Sequence, residues 1–388
     1  MKSTIFQTID AYAGRFKAIS SFIGANPELG HEEFQAAARL TVELEYHGFQ
    51  VERGVLDIAT SFIATYDSGK PGPVVAFLAE YDALPELGHA CGHHLICMMS
   101  IGAAVGLQSV IAETGGSIRV YGTPAEETKG AKVPMAEAGL FRDVDIALMA
   151  HPYYTYEKSG ESLAMDAIQY EFFGRPAHAA AQPYEGINAL DAVIQLFNSI
   201  NALRQQLKSD ARIHGIVSEG GKAPNIIPDY AVAQFYIRSA SRTYTNELVQ
   251  KVLRCAEGAA LQTGCTLKTS NYEFSYDELR TNETLSQVFS QQLTEMGVRP
   301  EAIETGKDHG SLDLGNVSIQ CPTIHPFVKV VGEKHMLHTK EFRDLALQEP
   351  ALDAMLFTAK ALASTAYEVL ISPELLQKIK AEFAATAK

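Results

Sequence analysis

The sequence is short of cysteine, short of positive charge and without a long apolar run, and each shortage narrows the reading. Its 388 residues include five cysteines, Cys91, Cys97, Cys255, Cys265 and Cys321. The number is odd and the spacing shows no disulfide framework, so a reducing compartment is expected. Lys and Arg total 32 against 46 Asp and Glu, a formal charge of −14 spread without an acidic block. That argues against nucleic acid and anionic membranes as partners, since both reward a positive face. No stretch meets the roughly 18 apolar residues expected of a bilayer span. Residues Met1 to Asp10 lack the apolar core of a signal peptide. No internal repeat or low-complexity tract is present. The expectation is a cytoplasmic protein with no membrane and no nucleic-acid partner. What is there is ordinary for a globular protein, 46% apolar and 20% charged residues. The length points to two or three domains.

Apolar periodicity predicts helices over residues 4–25, 32–47, 95–114, 186–207, 244–263, 283–296, 348–367 and 373–383. Short strands are expected over 50–53, 61–66, 74–79, 117–122, 147–149 and 323–328. Strands alternating with helices read as an α/β sheet sandwiched by helices, whose ligands bind beyond the strands' carboxyl ends. Between them, residues 164–274 read as β-α-β-β-α-β, the ferredoxin-like order. The expected architecture is therefore α/β, a mixed sheet with an inserted ferredoxin-like unit. Its boundaries are residues 1–162 and 276–388 for the main domain and 163–275 for the insert.

Five polar clusters carry candidate chemistry. The first is Cys91-Gly92-His93, in a stretch that follows the apolar run Val74 to Ala79 and also holds Glu80, Asp82, His89 and His94. Thiolate and imidazole suit zinc, and a glycine between them allows a tight turn. The second is Glu126-Glu127, where one carboxylate can hold metal while its neighbour acts as a base. The third is His151, after another apolar strand. The fourth is His335 to His338, and the fifth is His178 in the insert. Each has an ordinary reading when taken alone: a solvated turn, a core histidine or a surface histidine. Together they place N, O and S donors at successive strand ends of one sheet, which fits one or two divalent metals and hydrolysis by activated water.

The order of these motifs resembles the aminoacylase/carboxypeptidase family of dinuclear zinc peptidases, clan MH, and within it the amidohydrolase branch. The resemblance is carried by Asn26-Pro27-Glu28-Leu29-Gly30 with Glu32-Glu33-Phe34, by Glu80-Tyr81-Asp82-Ala83-Leu84-Pro85, and by His89-Ala90-Cys91-Gly92-His93. Pro124-Ala125-Glu126-Glu127, Ala177-His178-Ala179, Pro224 to Asp229, Asp313 to Ser318 and His338-Thr339 continue it. The stretch from Glu80 to His89 is most similar to the aminobenzoyl-glutamate and β-alanyl-dipeptide hydrolase group. The resemblance implies a metal-dependent amidohydrolase cleaving N-acyl amino acids or small dipeptides. It implies Cys91, His93, Glu127, His151 and His338 as metal ligands, Glu126 as general base on a metal-activated water, and Asp82 as the residue that orients a ligand. It implies His178 as a donor reaching the partner subunit's site, with Asn225 and Arg238 holding the substrate carboxylate. His309 is a further candidate for the pocket, and Tyr153, Tyr154 and Phe327 for its lining. Two ions per subunit are implied, zinc first, with manganese, cobalt and nickel as alternatives, in a homodimer formed through residues 163–275. His94 departs from the Asp or Asn usual in relatives, and is either inert or an alternative ligand. Two other readings stand beside this one. A non-catalytic metal- or ligand-binding relative would keep the fold, and a cysteine-nucleophile hydrolase would use Cys91.

Overall fold

The computed structural model describes residues 1–306, 310–332 and 334–386. They form two compact units. The first holds the chain up to Glu161 and most of it from Leu279 onward, and the second holds Ser162–Glu278 with Gly310–Leu312.

The first unit is built on a six-stranded sheet. Its order is Gln50–Arg53, Phe62–Asp67, Ser117–Gly122, Val74–Ala79, Ile146–Leu148 and Thr323–Ile324. The first two pairings are antiparallel and the other three are parallel. Val74–Ala79 is central, and Val75 to Ala79 are fully enclosed. Helices cover both faces of such a strand, which is why its sequence is continuously apolar rather than alternating. The parallel arrangement brings the carboxyl ends of Val74–Ala79, Ser117–Gly122 and Ile146–Leu148 to one edge.

The helix His93–Thr114 packs against Lys2–Ala11, Ala13–Ala25 and Glu349–Ile371. Small residues set these distances. A Cβ at Gly102 would stand 3.1 Å from the Ala359 Cβ, and one at Gly106 would stand 2.8 Å from Ile9. Contrary to expectation, His93–Thr114 and Glu349–Ile371 are long and apolar enough to cross a membrane. They are spent on the core instead, with 83% and 67% of their most apolar windows buried.

Three further expectations are corrected. The N-terminal helix is two, Lys2–Ala11 and Ala13–Ala25, because Tyr12 leaves helical geometry at φ −103°, ψ 6°. The strand expected over 323–328 is also two, Thr323–Ile324 and Phe327–Lys329, in different sheets. Pro326 interrupts it, since proline cannot donate to a ladder. The second piece joins His151–Tyr153, Tyr156–Glu157 and Ile303–Glu304 in a small four-stranded sheet. Three short helices add to the expected set, Lys132–Glu137, Leu314–Ser318 and Lys340–Ala346.

The second unit has the β-α-β-β-α-β order, with strands Ala164–Phe173, Arg212–Glu219, Tyr230–Ser239 and Thr266–Asn271. The first and last pair, and Tyr230–Ser239 lies between the first and second. All pairings are antiparallel. Alternate residues Ile168, Tyr170, Phe172 and Ala231, Ala233, Phe235, Ile237 form its core with the helices Ala189–Leu203 and Arg242–Thr263. The period of two in the strands and the apolar stripe on each helix produce this layer.

Candidate metal centre

Five of the sequence-derived residues meet beyond the sheet's carboxyl edge. Donor atoms of Cys91, His93 and His151 lie within 4.8 Å of one another, and so do those of Cys91, Glu127 and His338. The His338 Nε2 stands 2.9 Å from the Cys91 Sγ and 3.6 Å from the Glu127 Oε1. The His93 Nε2 stands 3.8 Å from that same oxygen. Glu126 joins His93 and Glu127 in a third group.

Local backbone explains how a short motif delivers these atoms. Gly92 has φ +78° and precedes the helix His93–Thr114. A side chain there would be strained, and its Cβ would fall 3.0 Å from Pro152. Glycine therefore lets the Cys91–His93 turn lie against the strand that starts at His151. The sequence pattern places His93 in a loop, whereas it is the first residue of the helix. Ala125 at φ 64° and His338 at φ 61° also occupy the left-handed region. Such strain, about 1–2 kcal/mol for an L-residue, persists only where the surroundings impose it.

Hydrogen bonds fix which ring nitrogen faces the cluster. The His93 Nδ1 donates to the Asp82 Oδ1 at 2.9 Å, and the His151 Nδ1 donates to the Pro152 carbonyl at 2.9 Å. In the neutral imidazole this places the proton on Nδ1 and turns Nε2 toward the cluster. The second oxygen of Asp82 accepts from the Glu127 N–H at 3.0 Å, so one buried carboxylate holds two members of the cluster.

The electrostatics fit a divalent cation. The His93 Nε2, Glu127 Oε1 and Glu80 Oε2 are buried and have no hydrogen-bond partner. Buried polar atoms are costly in that state, and a metal ion held by His93 and Glu127, which share a donor group, would satisfy two of the three. Burial, and then the carboxylates of Glu80, Glu127 and Asp313, push the Glu126 carboxyl well above its usual range. Burial works against charge on His93, but Asp82 outweighs it and raises the imidazole pKa. The centre is thus short of positive charge. The Cys91 thiol is pushed up by burial and by Glu127. An unmetallated Cys91 is therefore a poor nucleophile, which weighs against the cysteine-hydrolase reading. Sulfur, imidazole and carboxylate donors make a set suited to zinc-like ions.

Residues outside the sequence-derived set complete the surroundings. Lys132 is fully enclosed, and its Nζ donates to the Glu80 Oε1 and the Asp313 Oδ1, both at 2.7 Å. Carboxylate oxygens of Glu80, Glu126 and Asp313 lie within 4.8 Å of one another, so this ammonium balances charge behind Glu126. Gly130 makes room for Asp313, whose Oδ2 would be 2.2 Å from a Cβ at that position. Nothing local in the sequence marks Lys132 as buried, because its partner Asp313 lies 181 positions away.

His94 belongs to none of the donor groups found among the described residues. Its Nε2 donates to the Ala346 carbonyl at 3.1 Å, its ring packs 5.2 Å from His89, and burial pushes its pKa down to about 4. Phe327 and Tyr153 do lie near the centre, with the Phe327 ring 5.1 Å from His151 and 5.3 Å from Tyr153. In the second unit, His178 and Asn225 are neighbours. His178 bridges to Ile226, and the Ala179 N–H donates to the Asn225 carbonyl at 3.0 Å. The exposed His178 ring accepts at Nδ1 from Ala180 and Ala181, which puts its proton on Nε2. Arg238 sits on Tyr230–Ser239 and donates to Ser311 at 3.2 Å. His309 lies outside the described residues.

Comparison with known proteins adds an independent line. A family model described as a peptidase dimerisation domain matches residues 165–263. The chain is 37% identical over 398 residues to a Xaa-Arg dipeptidase of Mus musculus, covering 99% of this chain and 92% of that one. It is 29% identical to one of the p-aminobenzoyl-glutamate hydrolase subunits of Escherichia coli, covering 97% and 94%. A crystal structure of a dinuclear metal-binding M20 peptidase from Bacillus subtilis superposes with a TM-score of 0.68 at 20% identity, covering 93% of this chain and 99% of that one.

Proposed function

The chain belongs to the M20 family of metal-dependent peptidases and amidohydrolases, and from that premise we propose that it cleaves the amide bond of N-acyl amino acids or small dipeptides with Glu126 as the general base. The observation that carries the reading is the position of Glu126 next to His93 and Glu127 in one donor group. Cys91, His93, His151, Glu127 and His338 would hold the metal. Cys91, His93 and Glu127 each belong to two of the donor groups. A divalent ion, zinc first by its donors, supplies Lewis acidity that polarises the amide carbonyl and acidifies water.

The protein's own groups do the rest. The Glu126 carboxylate takes a proton from the attacking water as the carbon–oxygen bond forms. It then delivers that proton to the nitrogen as the carbon–nitrogen bond breaks. Asp82 keeps His93 in the required tautomer and grips the Glu127 backbone. By the family resemblance, the His178 Nε2–H of a partner subunit donates to the developing oxyanion, and Asn225 and Arg238 take the substrate's carboxylate. Residues 163–275 are the proposed dimer surface. Five free thiols accord with a reducing, cytoplasmic setting. The mouse relative acts on Xaa-Arg dipeptides by its name, and the bacterial one on p-aminobenzoyl-glutamate, so both substrate types head the search.

The test is metal analysis joined to a substrate screen. Dipeptides ending in arginine, β-alanyl dipeptides, aminobenzoyl-glutamate and N-acyl amino acids are assayed with the parent and with Glu126→Gln. The variant should keep its metal and lose roughly 10²–10⁴-fold in kcat. Chelation should abolish parental activity and zinc, cobalt or manganese restore it. Near-normal turnover by Glu126→Gln, or a chelator-resistant enzyme blocked by iodoacetamide, would overturn the reading.

A further inference from the structure

One motif of the resemblance has no part in the chemistry above: Asn26 to Gly30 with Glu32, Glu33 and Phe34. The structure gives it a task. Residues 28–33 run along the edge of the centre and touch both loops that build it. Toward the first loop, Leu29 bridges to Ala83, and the Ala83 N–H donates to the Glu28 carbonyl at 2.9 Å. Toward the second, Gly30 lies so close that a Cβ there would be 2.8 Å from the Ala125 Cβ. His31, itself at φ 65°, donates from Nε2 to the Lys129 carbonyl at 3.0 Å.

Glu33 is the decisive residue of the segment. It stands just before the helix Phe34–Tyr46, where an acidic side chain ordinarily caps its own helix. Its carboxylate makes no capping bond. That task falls to Glu28, which accepts from the Gln35 N–H at 3.0 Å and the Ala36 N–H at 2.9 Å. Glu33 is released to point inward and is fully enclosed. Its Oε2 accepts from the Thr60 hydroxyl at 2.8 Å, and its Oε1 accepts from the Ala125 N–H at 2.9 Å.

Ala125 immediately precedes the base and holds a strained left-handed conformation. On the other side of the base, the Glu127 N–H is held by Asp82. The Glu126 backbone is therefore gripped at both neighbours by buried carboxylates, Glu33 on one side and Asp82 on the other. Asp82 also orients His93, so its loss disturbs the metal ligands directly. Glu33 touches none of the five ligands.

We infer that Glu33 is a positioning residue for Glu126, holding the strained Ala125 peptide so that the carboxylate of the base is aimed at the attacking water. The inference rests on the reading of Glu126 as the base. It separates from a role in folding alone because it acts on kcat and leaves both metal content and KM in place.

The experiment compares Glu33→Ala, Glu33→Asp and Glu33→Gln in the metal-loaded full chain, with Thr60→Val and Glu126→Gln alongside. Glu33→Ala removes the acceptor, and Glu33→Asp withdraws it by one methylene while staying compatible with the fold. Both should lower kcat by on the order of 10–100-fold, the scale of a misplacement near 1 Å, with KM and metal stoichiometry unchanged. Glu33→Gln keeps an oxygen for the Ala125 N–H and should recover most of the rate. Thr60→Val removes only the second hydrogen bond and should lower the melting temperature with kcat held. If Glu33→Ala does not fold, Glu33→Asp decides. A kcat within about twofold of the parent in the folded variants, or a rate loss that follows metal loss, overturns the inference. An active Glu126→Gln overturns the reading of the base itself. An inactive Glu126→Gln beside a fully active Glu33→Asp overturns only the positioning role.

Discussion

Lys132 is the residue whose chemistry least matches its sequence context. A lysine in a short polar stretch ordinarily points to water, yet this one is enclosed with Glu80 and Asp313. Buried charges are tolerated only when paired. Lys132→Met leaves two buried carboxylates facing Glu126 with no cation between them. The expected cost is about 3–5 kcal/mol in denaturant unfolding, and a change under about 1 kcal/mol would remove the triad as a determinant of stability. Glu33 offers a pH signature. Burial, and to a lesser degree Asp82, raise its carboxyl from 4.5 to about 7. Between those values the native state binds a proton that the unfolded chain does not. Its contribution is full below 4.5 and disappears as pH rises through about 7. Glu33→Gln has no such loss, so its stability relative to the parent should climb by roughly 3 kcal/mol across that window. A pH-independent difference would mean that Glu33 titrates normally. The cluster's Cys, His and Glu residues were legible in the sequence because such groups are rare at the ends of apolar strands. Lys132 and Glu33 were not, because their roles exist only through partners distant in the chain.

Among elements, the central strands were the most legible. Val74–Ala79, Ser117–Gly122 and Ala164–Phe173 have the bounds that their apolar patterns imply, with Pro73, Gly116 and Gly174 marking one end of each. The two segments that change sheet, around residues 149–153 and 323–329, were not. Their direction depends on pairing with each other, as in His151 against Phe327, and a local pattern does not contain a distant partner. The turn ahead of the helix His93–Thr114 shows how one glycine serves both fold and site. Gly92→Ala adds left-handed strain, about 1–2 kcal/mol, and a contact with Pro152. Gly48→Ala is the matched control, at φ +81° with nothing within 4 Å of its Cβ. Both variants should melt at lower temperature, but only Gly92→Ala should bind metal more weakly, read by titration calorimetry. Equal metal affinity in the two would mean that the turn does not set the Cys91–His93 geometry.

At the scale of the molecule, the α/β order and the β-α-β-β-α-β insert were legible from alternating periodicities. The insert interrupts the first unit between Glu161 and Leu279. The resemblance makes its His178 act across a dimer, and the prediction belongs to the pair of chains. His178→Ala and Glu126→Ala should each be inactive as homodimers. Mixed and reassembled, they should regain activity from the one hybrid site that has both groups intact. Failure to recover, with hybrid dimers demonstrated by native mass spectrometry, would confine His178 to its own subunit or remove it from catalysis.

The pairing of Lys132 with Asp313 also has a bearing on biosynthesis. A ribosome releases Glu80, Cys91, His93, Glu127 and Lys132 early, then makes the whole second unit before Asp313 and His338 emerge. Until then the ammonium has one of its two carboxylates, and Cys91 has not met His338. Through much of its synthesis the chain therefore lacks the second carboxylate of Lys132 and the His338 partner of Cys91. On the proposed ligand set, a complete metal site can form only after His338 has been made.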